Sequence, residues 1–513
     1  MEQLIDQIAN VQILNQFWLT LLLLIPIILI ARTVVAGTRY SPILIIVIFG
    51  LAMGLILVKS SVATPGLPEF PIIDLMSKVT VTALIVSFFV GGQEIKKILM
   101  RQKLESEDLI VPSEEEIILG TKRTQLVFII RSFFILIGIE GVKRLVLGFP
   151  SGDPLGKFYP IIAYLGIVGA LILIDHKATI KDKPQYLRRG LFEIVVILLI
   201  SVVSANIAQW IKPIIGLPQI FFAMIISAAL GGLLSEWKFG PTVRALLFAG
   251  IPVVLAANFM VGGSRILEAF KLTEMKAVMT YGLFGQVFWM FGGLSLLILF
   301  GSSNHVRNLA PGMAGALSHS GLTGACTAGD LGSDAASRAP IMINIPFFGH
   351  VFVFSILAAS AARGSLMTGW ALPIVLIGMG LTLWALKTLR NAKGKEAAEV
   401  KGLMQFSFGW QLVAVFGSFL LLSMGGMPIN DAAMATSSAI SHFGLFAAVQ
   451  GGMFGTQAAD MIAFIFAMPF LIHPFVFGMF GKAVENDGKM PAKIVYLLGA
   501  IGIAGVIYSV LVM

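Results

Sequence analysis

The chain is poor in charge and almost without cysteine. Only 12% of its 513 residues are Asp, Glu, Lys or Arg, about half the share of an ordinary soluble domain. Its one cysteine, Cys326, excludes an intramolecular disulfide and any cysteine-cluster metal site. No G-x-S-x-G, H-E-x-x-H or Walker A motif occurs, and no polar stretch is long enough for a soluble ATP-binding domain. An enzyme, a primary pump and a cofactor are therefore not expected. The opening residues include Glu2 and Asp6 but no basic cluster, so the first apolar run is expected to be a retained helix.

What the chain has in quantity is apolar sequence: 57% hydrophobic residues and a mean hydropathy of +0.92. Runs such as Phe17–Ala31, Pro42–Val58 and Tyr159–Ile174 approach or reach the length that crosses a hydrocarbon core of ~30 Å. They lack the period-two alternation of a barrel strand. The fold class expected is all-α: a polytopic membrane protein with about 13–16 transmembrane segments, in the plasma (inner) membrane. The net charge of +9 does not mark a nucleic-acid binder. Its basic residues gather in short loops, as in Lys177, Lys181, Lys183, Arg188 and Arg189, and again in Lys387, Arg390, Lys393, Lys395 and Lys401. That is the habit of cytoplasmic loops.

Two stretches are copies of each other. Ala316–Phe354 aligns without a gap on Ala439–Phe477, 123 residues later, with 16 of 39 positions identical. His319 matches His442, Gly321 matches Gly444, Gly332 matches Gly455, Pro346 matches Pro469 and His350 matches His473. A Gly-rich interruption recurring at corresponding places in a membrane chain is the best sequence pointer to a transport site. The helices before the two copies are also alike, at 285–297 and 409–421. A weaker duplication relates 41–57 to 217–234, and each of those is followed by a helix closing on Val-Gly-Gly, at Phe89-Val90-Gly91-Gly92 and Phe259-Met260-Val261-Gly262-Gly263.

These modules give a division of the chain. Residues 1–40 hold an N-terminal helix, 41–95 the first-repeat panel helices, and 96–123 a polar cytoplasmic linker. Inserted helices occupy 124–211, and the second repeat, panel plus broken-helix core, occupies 216–362. A connecting helix and basic loop (363–403) leads to 404–481, a broken-helix core that completes the first repeat, and 482–513 is a C-terminal helix. Inverted repeats need an odd number of crossings between equivalent helices. The apolar pattern instead counts four segments in the 123-residue spacing, which makes the two broken copies parallel. The same count puts the basic segments 176–189 and 387–401 on opposite sides.

At Ser318-His319-Ser320-Gly321-Leu322-Thr323-Gly324 the chain resembles the sodium/glutamate symporter family. That family has a His-x-Gly break in a helix, then a Pro-containing helix ending in aromatics, which Pro346–Phe354 matches. The resemblance covers 41–95, 216–362 and 404–481. It implies two structural repeats with discontinuous helices, a panel domain and a core domain, with ions and an anionic solute held where two broken helices cross.

The residues themselves carry the candidate chemistry. A broken helix frees carbonyls that suit Na+ and amide groups that suit a carboxylate. For the substrate the candidates are His319, Gly321, Thr323, Gly324, Arg338, His442, Gly444 and Gln457. For the ion they are Asp330, Asp334, Asn258, Gly452 and Asp460, with Na+ placed at Asp330 and Asp334. Asp330, Asp334 and Arg338 fall on one face if helical; a surface salt bridge explains them as well. For Asn258 an interhelical hydrogen bond is the alternative. The function expected is Na+-coupled symport of a small organic anion such as glutamate. A cation/proton antiporter, a Na+-coupled carrier of a dicarboxylate or bicarbonate, and a non-transporting membrane scaffold are the alternatives. Expected partners are the anionic solute, Na+ or H+ and the lipid bilayer, not nucleic acid; a homodimer is left open.

Overall fold

With lipid as solvent, a backbone finds no outside partner for its N–H and C=O groups, so a spanning segment closes its hydrogen bonds within itself. The computed structural model follows that rule. It describes residues 11–35, 42–62, 70–79, 122–149, 151–172, 183–215, 219–234, 250–269, 271–301, 304–317, 368–392, 395–440 and 472–511. Isolated positions are described between 82 and 93, between 322 and 357, and at 465. The described residues are almost entirely helical and include no strand.

The helices are α1 (Val11–Val35), α2 (Ile43–Lys59), α3 (Pro71–Lys78), α4 (Lys122–Leu147), α5 (Tyr159–Ile172), α6 (Lys183–Ile215), α7 (Gln219–Leu233) and α8 (Ile251–Ser264). There follow α9 (Ile266–Ala269), α10 (Thr273–Phe300), α11 (Val306–Leu317), α12 (Thr368–Ala392), α13 (Glu396–Met424), α14 (Ile429–Ile440), α15 (His473–Glu485) and α16 (Ala492–Leu511). Proline stands in the first turn of α3, α8 and α15, where the missing N–H breaks no helical bond.

Among the described residues, six helices are long and apolar enough to cross a membrane: most of α1, α6, α10, α12, α13 and α16. Their surfaces agree. α12 turns Leu372, Leu376, Ile377, Leu383 and Trp384 outward and keeps Ala371, Thr382 and Ala385 inside. A soluble helix does the reverse. The chain is an integral, multi-pass membrane protein.

The chain divides into two units, one ending at Arg265 and the other continuing from Ile266. The boundary falls inside the segment 216–362. Residues 45–95 and the helices α7 and α8 thus share one unit, while both Gly-rich copies belong to the other.

In the first unit, Phe17 of α1 meets Phe133 of α4 edge-on and stacks on Phe134, with ring centroids 6.2 and 6.3 Å away. The closest packing is backbone to backbone. A Cβ on Gly54 of α2 would collide with the Met260 carbonyl of α8, and one on Gly263 with the Leu51 carbonyl. A Cβ on Gly231 of α7 would collide with the Phe89 carbonyl, and one on Gly92 with the Ala228 carbonyl. The two sets correspond: Gly231 and Ala228 follow Gly54 and Leu51 by 177 residues, and Met260 and Gly263 follow Phe89 and Gly92 by 171. A third pair keeps the same offsets. A Cβ on Gly50 would stand 3.3 Å from the Ala256 carbonyl oxygen, and Ser227 Oγ donates to the Ile85 carbonyl at 2.5 Å. In each set two contacts advance together, 50 to 54 against 256 to 260 and 227 to 231 against 85 to 89, while Leu51 with Gly263 and Ala228 with Gly92 reach across the crossing point. α2 therefore runs parallel to α8, and α7 runs parallel to the helical positions at 85–92.

In the second unit, α10 and α13 begin 123 residues apart, and so do α11 and α14. α10 and α13 cross at a knot of indole and hydroxyl groups. Ser418 Oγ accepts hydrogen bonds from Tyr281 OH and Trp289 Nε1, both at 2.6 Å. Trp410 Nε1 donates to the Trp289 carbonyl at 2.9 Å. Each tryptophan faces the other helix's glycine, Trp289 against Gly417 and Trp410 against Gly293. The pairing falls in one helix as it rises in the other, so α10 and α13 are antiparallel. An even count of four crossings between them does not fit this: antiparallel helices need an odd number, so one apolar segment in that interval is not a full span or one more is present. α11, by contrast, runs parallel to α13, with Gly312 against Leu403 and Gly315 against Ser407.

Gly54→Val and Gly231→Val are each expected to cost about 1–3 kcal/mol or more, because backbone on the far side has nowhere to go. Gly380→Ala, with no heavy atom within 4 Å of its added Cβ, is expected to be neutral or stabilising by up to about 1 kcal/mol. Thermal unfolding in detergent reads both. A Gly231→Val protein as stable as wild type would contradict the contact.

Candidate functional site

α11 and α14 lead into the two Gly-rich segments, and the second unit treats them alike. A Cβ on Gly315 of α11 would collide with the Met342 carbonyl. Ser438 of α14 donates its Oγ to the Ile465 carbonyl at 3.1 Å. Ser438 follows Gly315 by 123 residues, and Ile465 follows Met342 by the same number. The chain before each Gly-rich segment thus touches the chain after it at equivalent places. Gly332, inside the first segment, has φ +94°, a conformation that favours glycine.

Most of the candidate ligands fall outside the described residues: His319, Gly321, Thr323, Gly324, Asp330, His442, Gly444, Gly452, Gln457 and Asp460. Three are placed. Asn258 lies buried in the first unit, where its Nδ2 donates to the Val254 carbonyl at 2.9 Å and to the Ser77 carbonyl at 3.4 Å. It ties α8 to α3. Arg338 and Asp334 lie in the second unit within one ion cluster.

That cluster is built where α11 and α13 both begin. Arg338, 4% exposed, donates its NH1 to Asn308 Oδ1 and, at 3.2 Å, to Glu399 Oε2. Its NH2 stands 3.8 Å from Glu396 Oε1. Arg307 reaches the other oxygen of Glu399 at 3.9 Å and Asp334 at 3.9 Å. One carboxylate, Glu399, is thus held between an arginine before the Gly-rich segment and an arginine after it. Asn308, Arg338 and Glu399 are buried, whereas Arg307, Asp334 and Glu396 keep side chains 38%, 62% and 77% exposed. The charge of Arg338 is met inside the protein, and Asp334 stands at a wet rim.

The turn between α15 and α16 closes the same end. Val306 N donates to the Gly488 carbonyl at 2.8 Å, and Met490 N to the Asn304 carbonyl at 2.9 Å. His305 sits in this seam and accepts a hydrogen bond from Arg307 N at its Nδ1, 3.3 Å away. Burial, then the Arg307 guanidinium, holds the ring below its ordinary value; Asp334 opposes this and Arg338 adds to it.

A second buried carboxylate belongs to the first unit. Glu140 of α4, whose side chain is 1% exposed, pairs with Lys143 and with Arg144 Nε at 2.9 Å. Thr82 donates to it at 3.2 Å. The cluster joins α4 to the helical position at 82. Sequence reasoning passed over Arg307, Asn308, Glu399 and this triad. Glu140 had a signal, two cations at i+3 and i+4 in an apolar helix. Glu399 had none, since its partners lie far off in the chain.

No family model, no curated protein and no solved structure matches the chain.

Arg338→Ala is expected to cost about 3–5 kcal/mol, because it strands Glu399 in a buried place, whereas Asp334→Asn should stay within about 0.5 kcal/mol. Chemical unfolding of both variants checks this. A histidine held below its unfolded value adds stability that is present above pH ~6.5 and is lost as pH falls toward the folded value. His305→Gln should therefore flatten the stability profile between pH 7 and 5, and an unchanged slope would contradict the assignment.

Proposed function

We propose that the chain is a secondary active transporter that carries a small organic anion, such as glutamate, in symport with Na+. The observation that carries this reading is the set of matched contacts. Two kinds of helix module each occur twice, and equivalent residues in the two copies make equivalent backbone contacts. Their directions support an inverted relation. α10 and α13 are antiparallel. α2 is parallel to α8, the second helix of the other copy, so hairpin alternation within each copy sets α2 against α7. Paired inverted modules place two Gly-rich breaks around a shared site open in turn to each side.

On this reading the panel is formed by 41–95 with α7 and α8, and the core by the segments around the two breaks. An odd number of crossings between α10 and α13 also returns the basic segments 176–189 and 387–401 to the same side, as their charge asks. The breaks would offer carbonyls and helix ends to Na+ and to the carboxylate. His319, Thr323, His442 and Gln457 would be the polar side chains nearest the solute, and Asp330 and Asp460 would be the acidic groups nearest the ion. Because the structure already pairs Arg338, its role in binding is the weakest of these.

Uptake into proteoliposomes tests the reading, with labelled amino acids, dicarboxylates and bicarbonate and with or without an inward Na+ gradient. Na+-dependent accumulation of one anion class is expected. No Na+- or H+-driven flux of any of them would sink the proposal. Arg338→Ala, assayed on the folded fraction, is expected to retain anion affinity. A KM raised about tenfold or more would return Arg338 to the substrate.

A further inference from the structure

α12 carries no charged residue from Thr368 to Leu386, then Lys387 and Arg390 in its last two turns. Both are exposed, and so are Leu372, Leu376, Gly380, Leu383 and Trp384. Positions 376, 380, 383, 387 and 390 step by four and three, so they share one face of the helix. The opposite face packs on α13, with Leu389 against Gly402 and Gly378 against Gly409. At Gly380 no heavy atom lies within 4 Å of where a Cβ would stand, so the exposed stripe has an open step there.

The dimensions of this stripe are those of a lipid. Its apolar part, from Leu372 to Trp384, rises about 18 Å at 1.5 Å per residue, against ~15 Å for one leaflet of the hydrocarbon core. Cations stand directly above it. The start of α13 adds exposed Lys401, and exposed Lys395 precedes it. The exposed acid beside them, Glu396, already faces Arg338 at 3.8 Å. Among the described residues, no acidic group pairs with Lys387 or Arg390. The helix dipole favours a cation in a last turn, but it does not align two cations over an exposed apolar stripe.

We propose that the exposed face of α12 docks an anionic phospholipid, with an acyl chain along Leu372, Leu376, Gly380 and Leu383 and the phosphate on Lys387 and Arg390. Each cation near an anionic headgroup adds to the attraction, and the long stems of both side chains reach from the apolar stripe to the headgroup level. A second copy of the chain fits this face less well. A twofold axis along the membrane normal would set Lys387 against Lys387 and Arg390 against Arg390, with like charges opposed.

Trp384, 54% exposed on the next face of the same turns, supplies the test. Its emission is isolated as the difference between wild type and Trp384→Phe in bilayers of unlabelled phosphatidylcholine. Brominated phosphatidylglycerol or brominated phosphatidylcholine is then added as a contact quencher. Half-quenching of Trp384 should need about tenfold less of the anionic lipid than of the zwitterionic one. In Lys387→Gln/Arg390→Gln, where both positions are exposed and the fold is kept, the two lipids should quench alike. Lys482→Gln/Lys489→Gln, which removes as much charge from exposed positions on α15 and the turn after it, should keep the preference within about twofold. Equal quenching in wild type, a preference that survives Lys387→Gln/Arg390→Gln, or one lost in the control variant would overturn the site. Trp384 quenched by neither lipid would overturn it too, and would give the face to a second copy.

Discussion

Close approach of helix backbones at glycine is the constraint on which the rest of this structure depends. In a bilayer the hydrophobic effect does not drive one helix onto another, so contact comes from packing and from short polar contacts. Gly54, Gly92, Gly231 and Gly263 each abut a carbonyl of a neighbouring helix. Any side chain there would push the helices apart. Because the four contacts form two equivalent pairs, the same geometry is built twice from different parts of the chain.

The second unit uses another kind of contact at its centre. Tyr281, Trp289, Trp410 and Ser418 form a hydrogen-bonded crossing near the middle of α10 and α13. Each polar group there is satisfied by another, as a dry interior demands. A fixed crossing of two long helices gives the shorter α11 and α14 something to lean on. Those are the helices that lead into the Gly-rich segments.

Much of this was legible in sequence, and the limits have physical causes. The 123-residue copy was visible because its two stretches align without a gap, and Gly315 and Ser438, at its threshold, make the same contact in space. The panel duplication was fainter because its two helices are offset by different amounts, 177 and 171. It also rests on carbonyl oxygens, which every residue has and no sequence displays; only the glycines opposite them leave a mark. The parity of the crossings was not legible, because apolar length cannot tell a full span from a partial one. Asp334 and Arg338 were found as charges in an apolar chain. Glu399 was not, because its value lies in Arg338, 61 residues away, and chain separation says nothing of that meeting.

The inversion of the two panel copies is the claim that most directly decides the account. Ser61, in the turn after α2, and Leu234, in the turn after α7, are both exposed. With Cys326 replaced by alanine, Ser61→Cys and Leu234→Cys can each be labelled in sealed, oriented vesicles by an impermeant maleimide. The account predicts that the two positions label from opposite sides. Labelling of both from the same side would contradict it.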